Sequence, residues 1–109
     1  MINEYLKINT IIVESSSIYK NNQLNGQSRI LDICYKEKCN QYINPIGGKD
    51  LYNCDAFMNQ GIKLNFLKSM KFKYNQSSKV FVPWLSIIDV MMYNDIEAIQ
   101  KNLKSYEIA

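Results

Sequence analysis

The chain contains no histidine. That absence removes the usual general base, the Ser-His-Asp triad and most zinc sites. Three cysteines, Cys34, Cys39 and Cys54, are odd in number and show no C-x-x-C spacing. They read as reduced thiols of a cytosolic protein, with no disulfide framework, no metal site and no cofactor. Cys34 falls on an apolar helical stripe and reads as core. Cys54 precedes a helix that favours a thiolate, but no base accompanies it. The remaining chemistry belongs to cations and backbone donors. Arg29 is the one guanidinium, suited either to bidentate contact with phosphate or carboxylate or to an ion pair with Asp32. Gly47 and Gly48 follow Asn44-Pro45-Ile46. Such a turn either gathers N–H groups around an anion or needs glycine only for its shape. Asn44 either binds a sugar hydroxyl or locks its own turn. Lys49 adds charge beside the glycines, and Lys71 and Lys73 sit on a later loop. No residue declares itself catalytic.

Charge distribution says more than net charge. Between Asp55 and Asp89 there are five lysines and no acidic residue, in a chain whose net charge is +3. This stretch is either a solvated basic face or one that meets an anionic small molecule. Phe72 and Tyr74 alternate with lysines as in single-strand binders, but the total charge is small and no nucleic-acid motif fits, so no nucleic-acid partner is expected. No apolar run approaches the roughly 20 residues of a membrane span. The start, Met-Ile-Asn-Glu-Tyr-Leu-Lys, lacks the basic and apolar regions of a signal peptide, which makes the expected location cytoplasmic.

The elements that must position these residues follow from periodicity. Met1–Lys7 has helical spacing and reads as the end of a helix, as if the chain began inside one. Asn9–Val13 is a β-branched run read as a buried strand, and the polar stretch to Gly26 as a loop. Ile30, Leu31, Ile33 and Cys34 make Gln27–Lys38 an amphipathic helix. A strand at Gln41–Asn44 ends at Pro45, which cannot extend a central ladder. A short helix at Asp55–Asn59 stops before Gly61, and Ile62–Leu67 alternates as a third strand. Ser69–Val82 is loop. Pro83–Tyr93 is a helix and a last helix runs from Asn94 to about Tyr106, with Ser86/Asp89 and Asn94/Glu97 at capping-box spacing. The expected fold is α/β: one domain, residues 1–109, with a small parallel sheet of about three strands in β-α-β-α-β order, flanking helices and two C-terminal helices. Parallel pairing would put Ser15–Gly26, Asn44–Asp50 and Lys68–Pro83 at one sheet edge, where open α/β sheets bind ligands.

These segments resemble the C-terminal half of the WbqC-like protein family. The resemblance is carried by Gly26-Gln27-Ser28-Arg29-Ile30-Leu31-Asp32-Ile33-Cys34, by Tyr42-Ile43-Asn44-Pro45-Ile46-Gly47-Gly48, by Leu51-Tyr52 with Phe57, by Gly61-Ile62-Lys63-Leu64, by Tyr74 with Gln76, and by Phe81-Val82-Pro83-Trp84-Leu85-Ser86-Ile87-Ile88-Asp89-Val90. It covers about residues 24–94. The resemblance implies a bacterial protein of surface-polysaccharide or O-antigen biosynthesis. Some members are linked to aminoacyl or acyl transfer onto a nucleotide-linked amino sugar. Members are usually about twice this length, so the resemblance also implies a truncated chain that lacks an N-terminal half.

Two functions follow. One is a transferase-type enzyme binding a nucleotide sugar through Arg29, Asn44, Gly47, Gly48, Lys49, Lys71 and Lys73. The other is a non-catalytic ligand-binding or assembly module that partners the missing half or associates with itself.

Overall fold

A computed structural model describes residues 1–109. Five helices, α1 (Ile2–Tyr5), α2 (Gly26–Lys36), α3 (Cys54–Met58), α4 (Ile87–Tyr93) and α5 (Ile96–Asn102), accompany three strands, β1 (Gln41–Pro45), β2 (Lys63–Ser69) and β3 (Tyr106–Ile108). Two 3-10 turns, Ser16–Tyr19 and Ile46–Leu51, complete the set. The strands form one mixed sheet in the order β1-β2-β3. β1 and β2 run parallel, with Gln41 opposite Lys63 and Pro45 opposite Leu67. On the other side of β2, Phe66 and Ala109 exchange both N–H···O bonds at 2.9 and 2.8 Å, and the Met70 N–H donates to the Ser105 carbonyl. That reciprocal pattern is antiparallel.

The α/β class, the strands expected at Gln41–Asn44 and Ile62–Leu67, the flanking helices and the C-terminal helix pair are all present, but the expected all-parallel sheet is mixed because its third strand pairs antiparallel. One strand is not where the sequence placed it. Asn9–Val13 belongs to no strand or helix, and Ile11 is 93% exposed. The third place in the sheet is taken from the far end of the chain by Tyr106–Ile108. A β-branched run favours extended backbone but becomes a strand only where an edge accepts it.

The chain forms two compact units. The first comprises Ile12–Lys68 with Ile108–Ala109. Its core is Cys34 from α2, Phe57 from α3 and Ile62, with Ile30, Leu31, Tyr42, Tyr52 and Leu64 packed around them. Tyr42 stacks on Phe57 at 5.8 Å between ring centres, and Tyr52 meets Phe57 edge-on at 6.0 Å. The arrangement follows from sequence: α2 presents one apolar stripe, and β1 alternates so that Tyr42 and Asn44 face inward. Asn53 caps α3 by accepting from the N–H groups of Asp55 and Ala56. Gly61, at φ +73°, reverses the chain after α3 as its position suggested.

The second unit comprises Met1–Ile11 with Ser69–Glu107. Leu6 and Ile99 are buried in it, and Gln100 Nε2 donates to the Leu6 carbonyl at 2.9 Å. α4 is shorter than the apolar run that contains it. It starts at Ile87 with Ser86 as N-cap, because Trp84 sits at φ +60°, a left-handed conformation that cannot propagate a right-handed helix. Asp89 does not complete a capping box. α5 is capped by Asp95, whose carboxylate accepts from the Ala98 N–H at 2.8 Å. Asn94 instead donates back to the Val90 carbonyl. No helix is long and apolar enough to cross a membrane.

Candidate functional site

In the first unit, Arg29 lies in the first turn of α2 and is bonded to side chains of the Ser15–Gly26 stretch. Its Nε donates to Asn21 Oδ1 at 3.1 Å, and Nη2 donates to Ser16 Oγ at 2.9 Å and Asn22 Oδ1 at 3.2 Å. Every acceptor is neutral, and Nη1 makes no hydrogen bond to the protein. Asn21 is 1% exposed and passes the network on, donating from Nδ2 to Asp32 at 2.8 Å. Asp32 pairs with Lys36, one turn later, at 2.8 Å. The ion pair expected between Arg29 and Asp32 is therefore replaced by a relay through a buried amide, and the acid goes to Lys36. Hydrogen bonds from Lys36, then from Asn21, hold the Asp32 carboxyl below its ordinary value. The result is an oriented cation that makes no direct ion pair, with the Asp32 carboxylate one amide away.

The Asn44–Lys49 segment resolves differently. Gly47 and Gly48 lie inside the 3-10 turn Ile46–Leu51, and neither has a left-handed φ. Gly48 is glycine because of space. A β-carbon there would stand 2.1 Å from Asn44 Oδ1 and 3.4 Å from the Tyr52 ring. Gly47 has open space where its β-carbon would be. The Asn44 amide donates to the Tyr42 hydroxyl at 2.7 Å, a bond between two side chains of β1. Burial pushes the Tyr42 hydroxyl above its ordinary value. Lys49 is exposed on the same turn.

Lys71 and Lys73 belong to the second unit. There they alternate with Phe72 and Tyr74, the lysines exposed and the rings half-buried. Phe72 and Tyr74 pack together at 5.4 Å, and Tyr74 meets Phe81 edge-on at 5.3 Å. The aromatic residues of this stretch are thus spent on the unit's own packing, and only its cations face outward.

Two features escaped sequence reasoning. An open cavity of about 310 Å³ is lined by Leu24, Ser28, Leu31, Asp32, Tyr35 and Gln60. Four of these residues, 28, 31, 32 and 35, share one face of α2, a spacing that was visible in advance. None of the expected ligand-binding residues lines it. The second feature is a cluster around Asp89, whose carboxylate accepts from the Tyr74 hydroxyl and from Gln76 Nε2. Gln76 also clasps Val82, accepting from its N–H at 2.9 Å and donating to its carbonyl at 3.0 Å. The bond to Asp89 raises Tyr74 above the ordinary tyrosine range. The cluster joins residues that the sequence presented as separate blocks.

A family model described as the WbqC-like protein family matches residues 1–101. The match reaches beyond both ends of the blocks quoted above. No curated protein and no solved structure matches the chain.

Proposed function

The chain belongs to the WbqC-like protein family, and from that membership we propose that it works in surface-polysaccharide (O-antigen) biosynthesis, holding a nucleotide-linked amino sugar by its phosphates during aminoacyl or acyl transfer. The observation that carries the reading is Arg29. Its guanidinium is set in place by three neutral acceptors, has an unused nitrogen and makes no direct salt bridge to a carboxylate. A structural arginine would ordinarily be paired with an acid, and a phosphate ligand supplies the missing charge. In this reading Lys49 adds positive charge and the Gly47 N–H adds a donor within the same unit, while Gly48 leaves room for the Asn44 side chain.

The experiment is a titration of the whole chain with nucleotide sugars, followed by backbone NMR shifts at low and moderate salt. Shifts centred on Arg29 and Lys49, weakening with salt, are the expected result. Shifts confined to other surfaces, or none, would refute it.

A second reading, a non-catalytic assembly module, draws on the apolar side chains that the second unit leaves in solvent. Trp84 is 68% and Met92 78% exposed, with Leu85 and Ile88 also exposed. Such groups are common where another protein surface covers them. Sedimentation across a concentration series decides it. Self-association that Met92→Lys abolishes is expected, and a monomer at every concentration counts against it.

A further inference from the structure

The C-terminus of α2 places two of the three cysteines together. Lys38 is left-handed, at φ +55°. The Lys38 N–H donates to the Tyr35 carbonyl at 3.1 Å and the Cys39 N–H to the Cys34 carbonyl at 2.9 Å. This pair of bonds defines the Schellman helix ending, in which the two residues joined by the wider bond bring their side chains into contact. α3 ends the same way and shows the outcome. Gly61 donates to Met58 and Ile62 to Phe57, and Phe57 and Ile62 are core neighbours. The corresponding residues at α2 are Cys34 and Cys39. Cys34 is 4% exposed, and Cys39 is open to solvent. Burial pushes the Cys34 thiol up, and the Cys39 thiol adds to that as charge and as hydrogen-bond partner, an influence that requires nearness. Residues folded back this closely fall within the reach of a disulfide, which needs Cα atoms roughly 4.4–6.8 Å apart.

We propose that Cys34 and Cys39 are a reversible oxidation site, closing a disulfide across the C-terminus of α2 in response to a peroxide. Cys39 is the residue the oxidant meets. Its thiolate attacks one peroxide oxygen, the O–O bond breaks, and Cys39 becomes a sulfenic acid while the departing hydroxide takes up a proton as water. Cys34, shielded from the oxidant, then acts from within. Its sulfur attacks the Cys39 sulfur, the S–O bond breaks, and the released hydroxide leaves as water with the proton Cys34 gives up. Two thiols lose two electrons and one peroxide becomes two waters. A small thiol reverses the step by exchange. The closed form ties the end of the helix that carries Arg29 to the residues entering β1. The site stands independently of the nucleotide-sugar reading.

The test uses the reduced whole chain, exposed to hydrogen peroxide, alkylated without reduction and digested with trypsin. Lys36 and Lys38 lie between the two cysteines, so digestion separates them unless a disulfide holds them. The expected product is Ile30–Lys36 joined to Cys39–Lys49. Its mass lies about 2 Da below the sum of the free peptides, and dithiothreitol abolishes it. Cys54, exposed on α3, is alkylated throughout and serves as the internal control. Cys39→Ser, at an exposed position, should eliminate the joined peptide while far-UV circular dichroism is unchanged. Cys39 recovered as sulfinic acid, Cys39 joined to Cys54 or to another chain, or Cys34 still free once Cys39 is consumed would each overturn the proposal.

Discussion

Asn21 is where the chain's local chemistry is concentrated, because one buried carboxamide serves a cation through its oxygen and an anion through its nitrogen. Nothing in its sequence neighbourhood distinguishes it from Asn22 or Asn25. Arg29 and Asp32 were legible as candidates, but the amide between them was not, since burial of a polar loop residue depends on what folds over it. Asp32 gives a pH signature. Its folded-state value lies below the ordinary 3.8, so the unfolded chain binds the proton more readily. The contribution of Asp32 is fully present above that ordinary value and is lost as pH falls through the folded value. Urea denaturation as a function of pH should show stability declining below about pH 4, and Asp32→Asn should flatten that decline. An unchanged acid limb would contradict the assignment. The two adjacent glycines also separate cleanly. Gly48→Ala should cost about 1–3 kcal/mol, because the added carbon meets the locked Asn44 amide. Gly47→Ala meets nothing and should be neutral or stabilising by up to about 1 kcal/mol. Urea midpoints of the two variants decide the matter, and equal effects would argue against the steric account.

At the scale of elements, strongly periodic segments were readable and special backbone was not. The stripe on α2, the alternation of β2 and the glycine after α3 each lie in the local pattern. β3 does not. Tyr106–Ile108 has all three residues exposed and no inside–outside alternation, so only its pairing makes it a strand. The start of α4 was misplaced for a related reason. Pro83 is a good first helical residue, and apolar residues follow it without a break. Trp84, however, takes a left-handed φ that tryptophan rarely adopts. That conformation should store about 1–2 kcal/mol of strain. Because the ring is mostly exposed, little packing offsets it. Trp84→Gly is therefore expected to raise stability by about 1 kcal/mol, and Trp84→Val to lower it. Thermal melts of both variants provide the check, and a destabilising glycine would show that the indole contributes more than its exposure suggests.

The whole molecule joins a recognisable family to a spare architecture. Residues 1–101 match the WbqC-like family, a three-stranded mixed sheet ties the strands, and few side chains are fully buried. The family and the α/β class were legible because they rest on many residues at once. The site was legible only as a list of residue types. Their roles depended on neighbours that no spacing announces: Asn44 turned to Tyr42, and Arg29 was set among neutral acceptors. That last arrangement makes the central claim testable by calorimetry. The whole chain and its Arg29→Gln variant are titrated with the same nucleotide-linked amino sugar at fixed low salt. The account predicts measurable binding by the natural chain and at least a tenfold loss, about 1.4 kcal/mol, in the variant, with the fold unchanged by circular dichroism. Equal affinities for the two chains would contradict it.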